Sequence, residues 1–191
     1  GWYMVQSGLI DRPSVSQYRL AAHLGLAVII YGLLVWLALD LLSRARPAQT
    51  EAAAPIRRHA WVAVALVGVT IFWGALVAGL DAGLAYNSFP LMNGYLLPPE
   101  AWGAQPLWAS PFETTAMVQF VHRWLGIATA LAVLMLSWRA YQRRLDGRAG
   151  MLAMGAGGAA IVQVGLGIAT LLLTVPIPLA ALHQAGALVL L

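Results

Sequence analysis

Long stretches without a single charged side chain constrain this chain more than anything else in it. Leu20 to Leu39 and Ala60 to Leu80 contain no Asp, Glu, Lys or Arg, and each meets the ~20 residues needed to cross a bilayer. A third apolar run, from about Thr114 to Trp138, is interrupted by His122 and Arg123. From Ala149 to Leu191 there is no charge at all, but Pro176 and Pro178 divide the run into a span ending near Thr174 and the start of another near Leu179. In lipid the backbone must satisfy its own hydrogen bonds, so these spans are expected to be helices. Only 9% of the residues are charged and 61% are hydrophobic, against roughly a quarter charged in a soluble domain. A water-soluble globular fold is excluded. Gly1 to Ile10 reads as the tail of an earlier span, and Leu179 to Leu191 is too short to cross a bilayer. Both ends are expected to lie inside hydrophobic segments of a longer membrane protein.

The basic residues are all arginine, and their placement gives the orientation. Arg44, Arg46, Arg57 and Arg58 share one connection, and Arg139, Arg143, Arg144 and Arg148 share another. The opposite side holds Arg12 and Arg19, and the segment from Asp81 to Pro111 holds none. By the positive-inside rule the arginine-rich connections face the cytoplasm or the mitochondrial matrix. Charge laid out between apolar runs speaks for a lipid bilayer as the surrounding medium and against nucleic-acid binding, which clusters it on a solvated domain. The outer segment, with Trp102, Trp108, Tyr86 and Tyr95, fits an interfacial aromatic belt, and its ~30 residues exceed a simple connector. There is no cysteine, which removes disulfides and thiolate chemistry.

With the topology set, three histidines fall at one depth. His23 follows Pro13 by ten residues, His122 follows Glu113 by nine and His183 follows Pro178 by five, each on a helix that starts outside. At ~1.5 Å per residue all three sit one to two turns below the outer surface. Ionisable residues at such depth are usually functional. Imidazoles on two helices at matched depth suit axial ligation of a haem, whereas a single membrane histidine serves as readily in an interhelical hydrogen bond. His122 and His183 are the expected iron ligands, with His23 as a third, its partner lying outside this chain. Gly126 and Gly186 would let a flat macrocycle approach the backbone. Arg123, beside His122, and Arg19, four residues before His23, are candidates for pairing with haem propionates; Arg19 could equally snorkel to the interface. His59 reads as a solvated loop residue, Gly155, Gly157, Gly158, Gly165 and Gly167 as helix-packing positions, and Met92, Met117, Met135, Met151 and Met154 as core or lipid filling.

Leu20-Ala21-Ala22-His23 resembles Ala180-Ala181-Leu182-His183, each after a proline-containing outer turn. This internal echo suggests an all-α polytopic membrane helix bundle of two pseudo-symmetric four-helix halves, the first truncated. Residues 1–43 would be the remnant of the first half, 44–58 a cytoplasmic linker and 59–191 the second half, its last helix truncated.

Several strings are more distinctive. Gly1-Trp2-Tyr3-Met4-Val5-Gln6-Ser7-Gly8-Leu9, Gln17-Tyr18-Arg19-Leu20-Ala21-Ala22-His23-Leu24, Gly74-Ala75-Leu76-Val77-Ala78-Gly79-Leu80-Asp81-Ala82-Gly83, Asn87-Ser88-Phe89-Pro90-Leu91-Met92, Gln119-Phe120-Val121-His122-Arg123 and His183-Gln184 resemble the haem A synthase family of alphaproteobacterial and mitochondrial type. The resemblance runs from the end of that family's third helix to the start of its eighth. It implies oxidation of a methyl group of haem O to a formyl group, giving haem A for cytochrome oxidase. It implies a haem b between His122 and His183, and haem O as substrate in the other half, where His23 would be one catalytic histidine. The family's Glu-x-x-His-Arg string is absent; three residues before His122 stands Gln119, so no catalytic carboxylate is assigned.

The resemblance further implies haem O synthase and the cytochrome oxidase assembly machinery as pathway partners, a possible homo-oligomer, and a bacterial or mitochondrial inner membrane. These residues alone are expected to be inactive as a synthase. The competing readings are a non-catalytic bis-histidine cytochrome and a haem-free helical scaffold or transporter. The outer segment could cap the haem b pocket or join the two halves.

Overall fold

A computed structural model describes residues 15–42, 54–145 and 147–191. The expected span tail Gly1–Ile10, Arg12, Arg44, Arg46 and linker positions 44–53 lie outside the described residues. Four long helices follow the apolar runs: α1 (Gln17–Leu42), α2 (Ala54–Gly79), α4 (Thr115–Gln142) and α5 (Gly147–Leu172). A short α3 (Ser110–Glu113) leads into α4, and α6 (Ile177–Val189) closes the chain. No strand occurs among the described residues. All four long helices are apolar and long enough to cross a membrane, and the chain is an all-α polytopic membrane bundle.

The helices overrun the charge-free stretches at their arginine-rich ends. α2 begins at Ala54, so Arg57, Arg58 and His59 belong to its first turns and positions 54–58 are helix rather than linker. His59 is therefore not a loop residue; it is half-buried, and its Nδ1 lies 3.4 Å from Arg139 Nη1 of α4. Long basic side chains reach back to the interface while their backbone stays helical, which is why charge marks the end of the apolar core and not the end of the helix.

Packing runs α1 on α2, α2 on α4, α4 on α5 and α5 on α6. One buried cluster joins Ala63 of α2, Val133 of α4 and Ala160 of α5, with Leu190 at the end of α6 packed against it; four helices thus share one core. A second joins Ala21 of α1 to Ala75, Leu76 and Val118. Small residues and hydroxyls make these approaches, as membrane interfaces require. Thr70 and Thr129 Oγ1 lie 2.8 Å apart between α2 and α4. Ser137 donates to the Ala153 carbonyl at 2.7 Å between α4 and α5. At Gly79 a β-carbon would come within 2.5 Å of Gln17 Cα, so α1 crosses α2 in direct backbone contact there.

Between α2 and α3 the outer segment folds onto the start of α4. Tyr86, Met92, Ala101, Ala116 and Met117 form its core. Tyr86 donates to the Glu100 carboxylate and is only 9% exposed, so it is a core residue of this segment and not part of an aromatic belt. Trp102, Trp108 and Tyr95 are exposed, as a belt needs. Met92 and Met117 are buried, while Met135, Met151 and Met154 are exposed on the bundle surface.

Candidate haem site

His23, His122 and His183 lie six, seven and six residues inside the outer ends of α1, α4 and α6, about 9–11 Å at ~1.5 Å per residue. Helix packing then brings two of them together. The His122 and His183 ring centroids are 6.5 Å apart and the ring planes stand at 88°. His23 lies exposed on α1, which packs on α2.

Each ring rests on a glycine of a neighbouring helix. A β-carbon at Gly74 of α2 would lie 3.1 Å from His122 Cε1, and one at Gly167 of α5 would lie 2.8 Å from His183 Cε1. Gly167 therefore seats a histidine ring, beyond the general helix packing assigned to it, and Gly74 was not singled out for this at all. The glycines expected to make room divide differently. Nothing of the protein lies within 4 Å of a β-carbon at Gly126, whereas at Gly186 it would meet Gln163 Oε1. Gly186 is thus filled by Gln163, whose Nε2 donates to the His183 backbone carbonyl at 2.7 Å.

The chemistry of the pair fits a metal held between them. Two imidazoles binding one metal from opposite sides at ~2 Å place their ring centroids roughly 6–6.5 Å apart. Direct edge-to-face ring packing spans a similar distance. Nδ1 of His122 and Nδ1 of His183 are both buried without a hydrogen-bond partner, and orphaned polar atoms are costly in an apolar interior. Among the described residues no third His, Cys, Asp or Glu joins them in a metal-binding group. A two-imidazole donor set suits a metal whose remaining ligands come from a planar macrocycle.

Arg123 and Gln119 face the outer segment. Arg123 Nη2 donates to the Tyr86 carbonyl at 2.8 Å and to Gln119 Oε1 at 3.0 Å, and Nη1 donates to the Ser88 carbonyl at 2.8 Å. Its Nε is buried without a partner. Gln119, 2% exposed, donates from Nε2 to the Ala82 carbonyl at 2.7 Å. These loop contacts escaped sequence reading because they depend on how the segment folds back. Arg19 is half-buried near the start of α1. Beside it Tyr18 donates to the Glu113 carboxylate, which Gln17 Nε2 also reaches at 3.2 Å, tying α1 to α3.

Comparison with known proteins decides the family. Residues 1–191 match the cytochrome oxidase assembly protein family, COX15-CtaA, along their whole length. The chain belongs to that family. It is 57% identical over 190 residues to a protein of Rhodospirillum centenum named heme A synthase, covering all of this chain and 50% of that protein. It is 46% identical over 198 residues to the heme A synthase COX15 of Bos taurus, covering all of this chain and 48% of the relative. A heme A synthase of Nitrosospira multiformis is 44% identical over 191 residues, with 54% of its length covered. The chain thus spans about half the length of the curated relatives it matches. No solved structure matches it.

Proposed function

We propose that this chain carries the haem b half of a haem A synthase, an inner-membrane enzyme that oxidises a methyl group of haem O to the formyl group of haem A for cytochrome oxidase. The observation that carries the reading is the His122–His183 pair, with ring centroids 6.5 Å apart and one orphaned nitrogen on each ring. The names of the relatives at 44–57% identity support the reaction class. In this reading residues 15–42 belong to the substrate half and 59–191 to the haem b half, with haem O synthase and the oxidase assembly machinery as partners in the pathway.

A haem b bound here would supply a one-electron redox centre; methyl oxidation is cofactor work, and the protein contributes position and environment. His122 and His183 would hold the haem iron. Gly74 and Gly167 let the rings sit against helix backbone, and Gln163 fixes the height of His183 through its carbonyl. Gly126, clear on its protein side, leaves space for a flat group beside α4. Arg123, next to His122, holds the covering segment through the Tyr86 and Ser88 carbonyls, and its partnerless Nε would be the atom left to pair with a propionate. On α1, His23 would serve as the substrate-side ligand and Arg19 as a propionate partner.

The test is pigment extraction from cells expressing the protein that carries this chain together with a haem O source. Haem A together with a reduced haem b spectrum is expected. An intact haem b spectrum without haem A would make the protein a bis-histidine cytochrome instead, and absence of any Soret band would make it a haem-free scaffold.

A further inference from the structure

Gln119 and Arg123 stand one turn apart on α4, and their hydrogen bonds leave the helix for a single target. The carbonyls of Ala82, Tyr86 and Ser88 receive the close bonds, and those of Pro90 and Leu91 lie 3.4 Å from Arg123 Nη1. The far side of the same segment is anchored separately. Asn87 Nδ2 donates to the Leu171 carbonyl at the outer end of α5, at 2.9 Å. A β-carbon on Gly83 would come within 2.9 Å of Val175 Cγ2, in the turn between α5 and α6. Arg123 adjoins His122, and Leu171 lies one turn outward of Gly167, the seat of His183. Residues 82–91 therefore bridge α4 to the α5–α6 turn on the outer side of the imidazole pair.

We propose that Gln119 and Arg123 form a latch that fixes residues 82–91 as a cover over the outer side of the His122–His183 pocket. What lies beneath the cover rests on the haem reading; the latch itself rests on the hydrogen bonds. An amide is required at position 119 because it does two opposite things at once. Its oxygen accepts from Arg123 while its nitrogen donates to Ala82, and an ionised carboxylate can only accept. The exchange is mutual: the guanidinium finds acceptors at membrane depth, and the segment's carbonyls find donors. A closed cover keeps water from the pocket and so sets the polarity around whatever the imidazoles hold.

Hydrogen exchange on the full protein in detergent tests this, with the reduced haem spectrum recorded alongside. Gln119→Glu keeps an acceptor for Arg123 but loses the donor to Ala82. Exchange is expected to rise about tenfold or more at 82–86, while the amides of Met92 and Asn93, bonded within the segment to the Tyr95 carbonyl and Ser88 Oγ, stay as in the parent. Gln119→Leu removes both functions and is expected to loosen 82–91 as a whole. In both variants haem reduction by aqueous dithionite is expected to be faster than in the parent. Parent-like exchange across 82–91 in both variants, or an increase spread evenly through α4, α5 and α6, would overturn the latch. Should the Gln119 variants not fold, Asn87→Ala tests the far anchor: faster exchange at 82–88 is expected, and unchanged exchange overturns the bridge. A parent protein without haem would remove the haem reading while leaving the exchange result interpretable.

Discussion

Two glycines set how closely the histidines of this bundle approach their neighbours. At Gly167 an added methyl would stand 2.8 Å from His183 Cε1, which forces the ring to shift; at Gly74 the corresponding 3.1 Å asks for only a few tenths of an ångström. Overpacking of this kind costs about 1–3 kcal/mol. Gly167→Ala is therefore expected to lose most of the haem b absorbance per mole of protein, and Gly74→Ala clearly less, read from reduced-minus-oxidised spectra of purified variants. Equal retention in both would show that the rings are not seated on these positions. Sequence spacing identified the three histidines, because a polar residue inside an apolar run stands out whatever the fold. It pointed to Gly126 and Gly186, which lie on the histidines' own helices, and not to Gly74. Which glycine faces a ring on another helix depends on helix pairing and rotation, and neither is written in the spacing of one segment.

Among the elements, the α4–α5 seam and the outer segment carry separate expectations. A β-carbon at Gly157 would come within 2.5 Å of Ser137 Oγ, which is engaged with the Ala153 carbonyl. Gly157→Val is expected to push the helices apart and lower stability by about 1–3 kcal/mol, measured by thermal unfolding in detergent. In the outer segment, burial together with the Glu100 contact pushes the Tyr86 hydroxyl up to about 12. The Tyr86 hydrogen bond holds the Glu100 carboxyl below its ordinary 4.5. A group raised in the folded state stabilises fully below its unfolded value near 10 and loses that contribution as pH climbs toward 12. The depressed carboxyl stabilises above 4.5 and loses its contribution as pH falls through its lowered value. The tyrosinate absorbance of the parent minus that of Tyr86→Phe should show one residue titrating near pH 12. A difference spectrum centred near pH 10 would contradict the contact. Tyr86 was misread as an interfacial aromatic because composition places tyrosines at membrane surfaces without saying which fold inward. The apolar runs located the spans, yet α2 and α4 continue through Arg57, Arg58, His59 and Arg139, since helix ends answer to backbone hydrogen bonding and apolar runs to the thickness of hydrocarbon.

For the whole molecule, topology and the pocket are linked: all three histidines lie near the helix ends opposite the arginine-rich connections. Residues 1–191 hold no cysteine, so a single cysteine introduced here reports sidedness once any cysteine elsewhere in the full protein is replaced. Trp102→Cys is expected to react with an impermeant maleimide from the outer side of intact cells, and Arg144→Cys only after permeabilisation. The reverse pattern would invert the bundle. The repeat read from the short echo between His23 and His183 has a counterpart in their equal distances from their helix starts. Beyond these lies the central claim, that His122 and His183 hold one haem between them. The most direct measurement is the reduced-minus-oxidised spectrum of the protein carrying this chain, compared with His122→Ala and His183→Ala at matched protein level. Each single substitution is expected to abolish the six-coordinate haem b signature. A spectrum that survives either substitution unchanged would contradict it.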